Sequence, residues 1–251
     1  MSVYKGNFMT GTATSTPATP EAPKGLLSRI VGVFFSPRAT FAEVATRPRV
    51  LGVLTIGLLV VIAGLFLLFS TEVGQRAWID QQVQGSESFG RTMSDQQIQG
   101  MERIAPYMGY IVAVLYLIFI PIVVAILSGI LLGVFNAFLG GDATFKQMFA
   151  IVSHAGLVPA LQTVFAMPLD YARETLSSPT TLGVFLPFLD EMSFLGRLLG
   201  MVDLFQIWWL VTLSIGLGVL YKRKTGPIAT SLLAVYFVIV LAIAAVRSAL
   251  S

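Results

Sequence analysis

Phe34-Phe35-Ser36-Pro37-Arg38-Ala39-Thr40-Phe41-Ala42-Glu43-Val44-Ala45-Thr46-Arg47-Pro48-Arg49 runs directly into an uncharged apolar stretch, residues 51–69. Ser followed by Pro is a helix-start signal, since the hydroxyl accepts an orphan backbone N–H and Pro loses nothing at the first helical position. Pro48 disfavours helical geometry at Arg47 and so marks the end of that helix. Between the two stops, Phe41, Val44, Ala45 and Pro48 fall at i, i+3, i+4 and i+7, which predicts one apolar face with Arg38, Glu43 and Arg47 pointing elsewhere. The expectation is an amphipathic helix in a membrane interface, anchored by Arg38, Phe41, Arg47 and Arg49. At 1.5 Å per residue, the apolar stretch behind it spans roughly 28 Å, close to the thickness of a bilayer's hydrocarbon.

That reading agrees with the composition of the whole chain. Over 251 residues, 55% are hydrophobic and 12% charged, and the mean hydropathy is +0.81, more apolar surface than a soluble core of this size buries. The class is an all-α integral membrane protein. Basic residues are spread over several membrane-flanking segments, which excludes a nucleic-acid stripe. Cysteine is absent, which removes disulfides, thiolate chemistry and Cys-ligated metals.

Residues 1–24, rich in Thr, Ala and Pro, predict a disordered tail, and no apolar h-region follows Lys5 as a signal peptide would require. Residues 25–49 predict two amphipathic interfacial helices, and residues 50–251 a five-span membrane domain with spans at about 51–69, 107–139, 148–167, 203–221 and 228–246. The second is long enough to tilt or to kink at Pro121, and Pro159 interrupts the third. Between spans one and two, Asp80-Gln81-Gln82-Val83-Gln84-Gly85 recurs as Asp95-Gln96-Gln97-Ile98-Gln99-Gly100, read as composition bias in a polar segment. Ser94 with Gln97, and Thr144 with Gln147, have capping-box spacing and predict helix starts. Residues 182–189 are apolar but too short to cross.

One side of the five spans carries ten Lys and Arg, the other six; with the acids counted, the sides carry net charges of +7 and −4. The positive-inside rule then places the N-terminus and the short turns in the cytoplasm and the C-terminus outside.

The ordered motifs Ser36-Pro37-Arg38-Ala39-Thr40-Phe41, Arg47-Pro48-Arg49, Thr144-Phe145-Lys146-Gln147 and Asp203-Leu204-Phe205-Gln206-Ile207-Trp208-Trp209, leading to Gly216-Leu217-Gly218, resemble the prokaryotic branch of the Yip (Ypt-interacting protein) domain family. The resemblance implies five spans, a cytoplasmic N-terminus and an external C-terminus. Eukaryotic members bind Rab-type GTPases in Golgi and ER membranes, and some prokaryotic members associate with exporter complexes. The Asp-Leu-Tyr-Gly-Pro motif of many eukaryotic members is missing from this chain.

Candidate functional residues are few. His154 falls inside span three, where an ionisable group is a functional candidate, although hydrogen bonding to a neighbouring span is the favoured reading. Asp203 sits where it would cap span four, and Asn136 is a polar group within span two. Gly129 and Gly133 form a GxxxG step, read first as packing against a neighbouring span and second as a homo-oligomer face. Trp208 and Trp209 suit an aromatic belt, and Lys222, Arg223 and Lys224 a basic membrane anchor. Hydrolase, nucleotide and metal motifs are absent, so no enzyme activity and no cofactor is expected. The favoured function is a scaffold or accessory subunit beside another integral membrane protein in a prokaryotic inner membrane. The alternatives are a small permease using His154 and the prolines, or a membrane-shaping protein that wedges Phe41 and Val44 into one leaflet.

Overall fold

A computed structural model describes residues 25–87, 89–190 and 193–249; the expected disordered tail lies outside them. The elements are α1 (Leu26–Phe35), α2 (Pro37–Thr46), α3 (Leu51–Phe69), α4 (Glu72–Glu87), α5 (Asp95–Ile104), α6 (Met108–Leu139), α7 (Phe145–Ala155), α8 (Leu157–Arg173), α9 (Phe194–Met201), α10 (Leu204–Leu220) and α11 (Thr225–Ala249). Among the described residues there is no strand, only one isolated bridge between Thr181 and Asp203.

Local signals place most boundaries. Both capping boxes form: the Ser94 and Thr144 hydroxyls accept from the N–H groups of Gln97 and Gln147, whose side chains accept in return. The polar segment between spans one and two is two helices, α4 and α5, each carrying one copy of the Gln-rich repeat. Ser36 precedes α2 without a side-chain cap, and α2 stops at Thr46, two residues before Pro48.

Four helical runs are long and apolar enough to cross a membrane: Leu51–Phe69, Asp95–Phe138, Phe145–Arg173 and Thr225–Ala249. The apolar α10, at 17 residues, is shorter than these. Span three is longer than expected and bends at Gly156 between α7 and α8. Pro159 explains the break, because it has no N–H to donate to the Ala155 carbonyl one turn earlier. The span from Met108 continues through Pro121 as one helix of 32 residues.

The core lies where α2, α7 and α10 meet. Phe41, Met148, Ile151 and Leu217 are fully buried there, with Val44 and Leu213 nearly so. The sequence places Phe41 and Val44 against lipid, and the structure corrects this. A Cβ on Gly216 would lie 3.1 Å from the Phe41 ring and 2.6 Å from Ile151 Cγ2, so this bare stretch of α10 is the seat of the Phe41 side chain. The outward apolar stripe of the N-terminal hairpin belongs to α1 instead, through Leu27, Val31 and Phe35. Nor does α1 lie free on a surface. Val33 packs on Val53 and Leu157, Phe34 meets Trp208 edge-on at 5.7 Å, and Arg29 is buried with Nη1 donating to the Arg49 carbonyl.

Candidate functional site

The candidate residues fall into three groups, one at each end of the bundle and one inside it. At the end carrying the acidic loops, Asp203 caps α10 through Oδ1, which accepts from the N–H groups of Phe205 (2.8 Å) and Gln206 (3.3 Å). Its Oδ2 accepts from Gln162 Nε2 at 2.9 Å, Ser178 Oγ at 2.6 Å and Thr180 Oγ1 at 2.7 Å. Its own N–H donates to the Tyr236 hydroxyl, which in turn donates to the Met201 carbonyl. One residue therefore joins α8, the loop before α9, α10 and α11. With five donors on two oxygens, the carboxylate's acceptor sites are filled, which fits a structural pin. The cap was legible in the sequence. The partners Gln162, Ser178, Thr180 and Tyr236 were not, although the Ser177-Ser178-Pro179-Thr180-Thr181 run is dense in short donors that fold back on local backbone and carboxylates.

Inside the bundle, His154 is fully buried. Its Nδ1 lies 2.7 Å from the Ala150 carbonyl, and since a carbonyl only accepts, Nδ1 carries the proton. Nε2 is buried without a hydrogen-bond partner among the described residues. A cavity of about 390 Å³ opens nearby at the α7–α8 break, lined by Gly57, Gly156, Pro159, Gln162, Thr163 and Trp209 among others. His154 is not one of its lining residues, so the titratable group on which the permease reading depends stands apart from the cavity. Full burial and a bond to its own helix fit a packing role, and the expected effects of substitution follow from that. His154→Leu exchanges a buried polar ring with an unmet acceptor for an apolar group of similar bulk and is expected to leave the thermal midpoint in detergent nearly unchanged. His154→Ala leaves a cavity and is expected to cost about 2–4 kcal/mol, read as a lowered midpoint in the same assay.

The other end gathers the basic residues. Gln147 both closes the capping box of α7 and donates its Nε2 hydrogen to the Ala45 carbonyl of α2 at 2.9 Å. Asn136 donates to the Ala143 carbonyl at 3.2 Å and accepts from the Tyr221 hydroxyl at 2.8 Å, tying the α6–α7 turn to the end of α10. Arg38, Arg47, Arg49, Lys222, Arg223 and Lys224 are all exposed at the ends of elements joined by these bonds. The ion pair between Arg76 and Glu72 lies elsewhere, on α4.

Two other predicted sites read differently in three dimensions. A Cβ built on Gly129 or Gly133 would meet nothing within 4 Å, so the GxxxG step does not pack against a neighbouring span and faces away from the bundle. The two tryptophans divide: Trp208 is 38% exposed and meets Phe34 edge-on and Phe205 at a tilt, while Trp209 packs against the central core. Arg197, buried on α9, donates to the Arg247 carbonyl and fastens that short helix to α11.

Several long apolar helices around a core built by α2, α7 and α10, with polar pins at both ends, define a polytopic α-helical membrane protein. Residues 31–246 match the Yip1 domain, and the chain belongs to that family. No curated protein and no solved structure gave a significant match. The motifs that carry the resemblance meet in space: Phe41 sits on Gly216, and Gln147 holds the α2 backbone.

Proposed function

We propose that this Yip1-domain protein is a non-enzymatic scaffold or accessory subunit that sits beside a transport or export complex in a prokaryotic cytoplasmic membrane, with α10 as the fifth span and the basic end in the cytoplasm. One observation carries the reading. The Gly129–Gly133 step on α6 is open, with no neighbour within 4 Å, on a 32-residue helix whose exposed side chains are almost all apolar. Small residues at that spacing let another helix backbone approach closely where lipid supplies no hydrophobic drive. Family membership and the structural roles of Asp203 and His154 support it.

The test is capture of tagged protein in mild detergent. A membrane partner is expected to co-purify. Gly129→Leu with Gly133→Leu is expected to lower the captured amount roughly tenfold without lowering the thermal midpoint, because neither position packs within the chain. A wild-type protein that emerges alone and monomeric sinks the reading. Orientation is checked in the cysteine-free background, where exposed Thr46→Cys is expected to label only from the cytoplasmic side; labelling from outside reverses the assignment.

A further inference from the structure

At the basic end, Arg38 and Ala42 of α2 join Gly218, Val219, Lys222, Arg223, Lys224 and Thr225 around a cavity of about 570 Å³. The sequence shows only three adjacent cations here, fewer than the four or more that mark recognition of anionic lipid. The fold supplies the fourth, because seating Phe41 on Gly216 brings α2, and with it Arg38, over the α10–α11 turn.

The turn is built against local preference. Lys222 N–H donates to the Val219 carbonyl at 3.3 Å and Arg223 N–H to the Gly218 carbonyl at 2.8 Å, the paired bonds of a Schellman helix end. The left-handed position of that motif usually holds glycine. Here it holds Lys222, with φ of 53°, a conformation that side chains disfavour. Gly218 lets the turn close tightly, since a Cβ there would lie 3.1 Å from the Arg223 carbonyl oxygen and from Thr225 Oγ1. Arg38 also breaks a local rule, being a cation in the first turn of α2, where the helix dipole favours an anion. Thr225 begins a 25-residue helix, whose positive end adds to the same field. Among the described residues, no acid lines the cavity and none of the four cations is ion-paired. A bound anion would offset four like charges gathered at such a disadvantage.

We propose that this cavity binds the phosphate-bearing headgroup of an anionic phospholipid. The cavity lies where α10 ends and α11 begins; with α10 read as a span, that is the membrane face, which favours a lipid over a dissolved phosphate. Ala42, Gly218 and Val219 give it an apolar floor. A headgroup of that charge is held by point cations, with Arg38 and Arg223 offering planar forks that match phosphate oxygens. The proposal rests on the reading of α10 as a span but not on the scaffold role, since it involves neither α6 nor a protein partner, and lipid binding and partner capture fail separately.

The experiment uses the full chain in detergent, with thermal stabilisation and native mass spectrometry read during titration with phosphatidylglycerol, phosphatidylcholine or inorganic phosphate. Phosphatidylglycerol is expected to raise the midpoint and to remain as a bound adduct, while phosphatidylcholine and millimolar phosphate do neither. Each cation removed is expected to weaken binding about fivefold, so Arg38→Gln with Lys222→Gly should lose roughly 25-fold. Lys222→Gly separates binding from folding: it relieves the left-handed lysine, so its lipid-free midpoint should hold or rise while affinity falls. Arg47→Gln with Arg49→Gln, exposed cations outside the cavity, is the control and should lose less than twofold. The proposal is overturned if that control loses as much as the cavity pair, if Lys222→Gly binds like the parent chain, or if inorganic phosphate competes as well as the lipid.

Discussion

A chain carrying Gly216→Leu is expected to fold with α2 displaced from its seat. The bare stretch of α10 at Gly216 is filled by the Phe41 ring on one side and Ile151 Cγ2 on the other, both fully buried, and a new Cβ alone would lie 2.6 Å from the latter. Overpacking a close-packed site typically costs 1–3 kcal/mol, which is the expected range for Gly216→Ala. Leu adds three more carbons to a space that does not hold the first, so its cost lies at or above about 3 kcal/mol. The helix with fewest other ties yields, and that is the short α2. Val44 is 1% exposed; in the cysteine-free background Val44→Cys should resist thiol reagents, and adding Gly216→Leu should make it label readily. A Val44→Cys that stays protected in the Gly216→Leu chain would show that α10 moves instead.

Asp203→Ala is expected to loosen the opposite end. It removes the cap of α10, worth about 1 kcal/mol, and leaves the Gln162, Ser178 and Thr180 donors without their shared carboxylate. A hydrogen bond to a charged group contributes about 1.5–3 kcal/mol, so even with water replacing part of what is lost the total is at least about 3 kcal/mol, or upward of roughly 6 °C in the thermal midpoint for a chain of this size. Asp203→Asn should fall between, since its amide oxygen still caps α10 while its NH₂ faces donors. Coupling is the sharper test. Thr180→Val should cost about 1.5–3 kcal/mol in the parent chain and clearly less in the Asp203→Ala background, because the two share one bond. Additive losses would show that the residues act separately.

The helix boundaries were largely legible, because the capping boxes, Pro48 and Pro159 act on their own neighbours in sequence. The direction in which α2 faces was not. Its apolar face suits a bilayer surface as well as a protein groove, and only Gly216, 175 residues from Phe41, decides between them. For the same reason Arg38 could not be joined to Lys222–Lys224 by counting charges. At Asp203 the cap lies within three residues and was readable, but Gln162 is 41 residues away and was not. The glycines of α6 show the limit of a motif: the spacing permits a close helix contact, and only the fold shows that none of the described helices occupies it.

That distance between Phe41 and its seat also sets a clock. A ribosome adding about 5–20 residues per second needs roughly 9–35 s to travel from Phe41 to Gly216. Gln147, which grips the other end of α2, is made about 100 residues after Ala45. For that interval the newborn N-terminal hairpin has its phenylalanines and no groove. The buried face of α2 has no seat until α7 and α10 arrive, so the order of synthesis makes α2, unlike α1 on Val53, among the last pieces to lock.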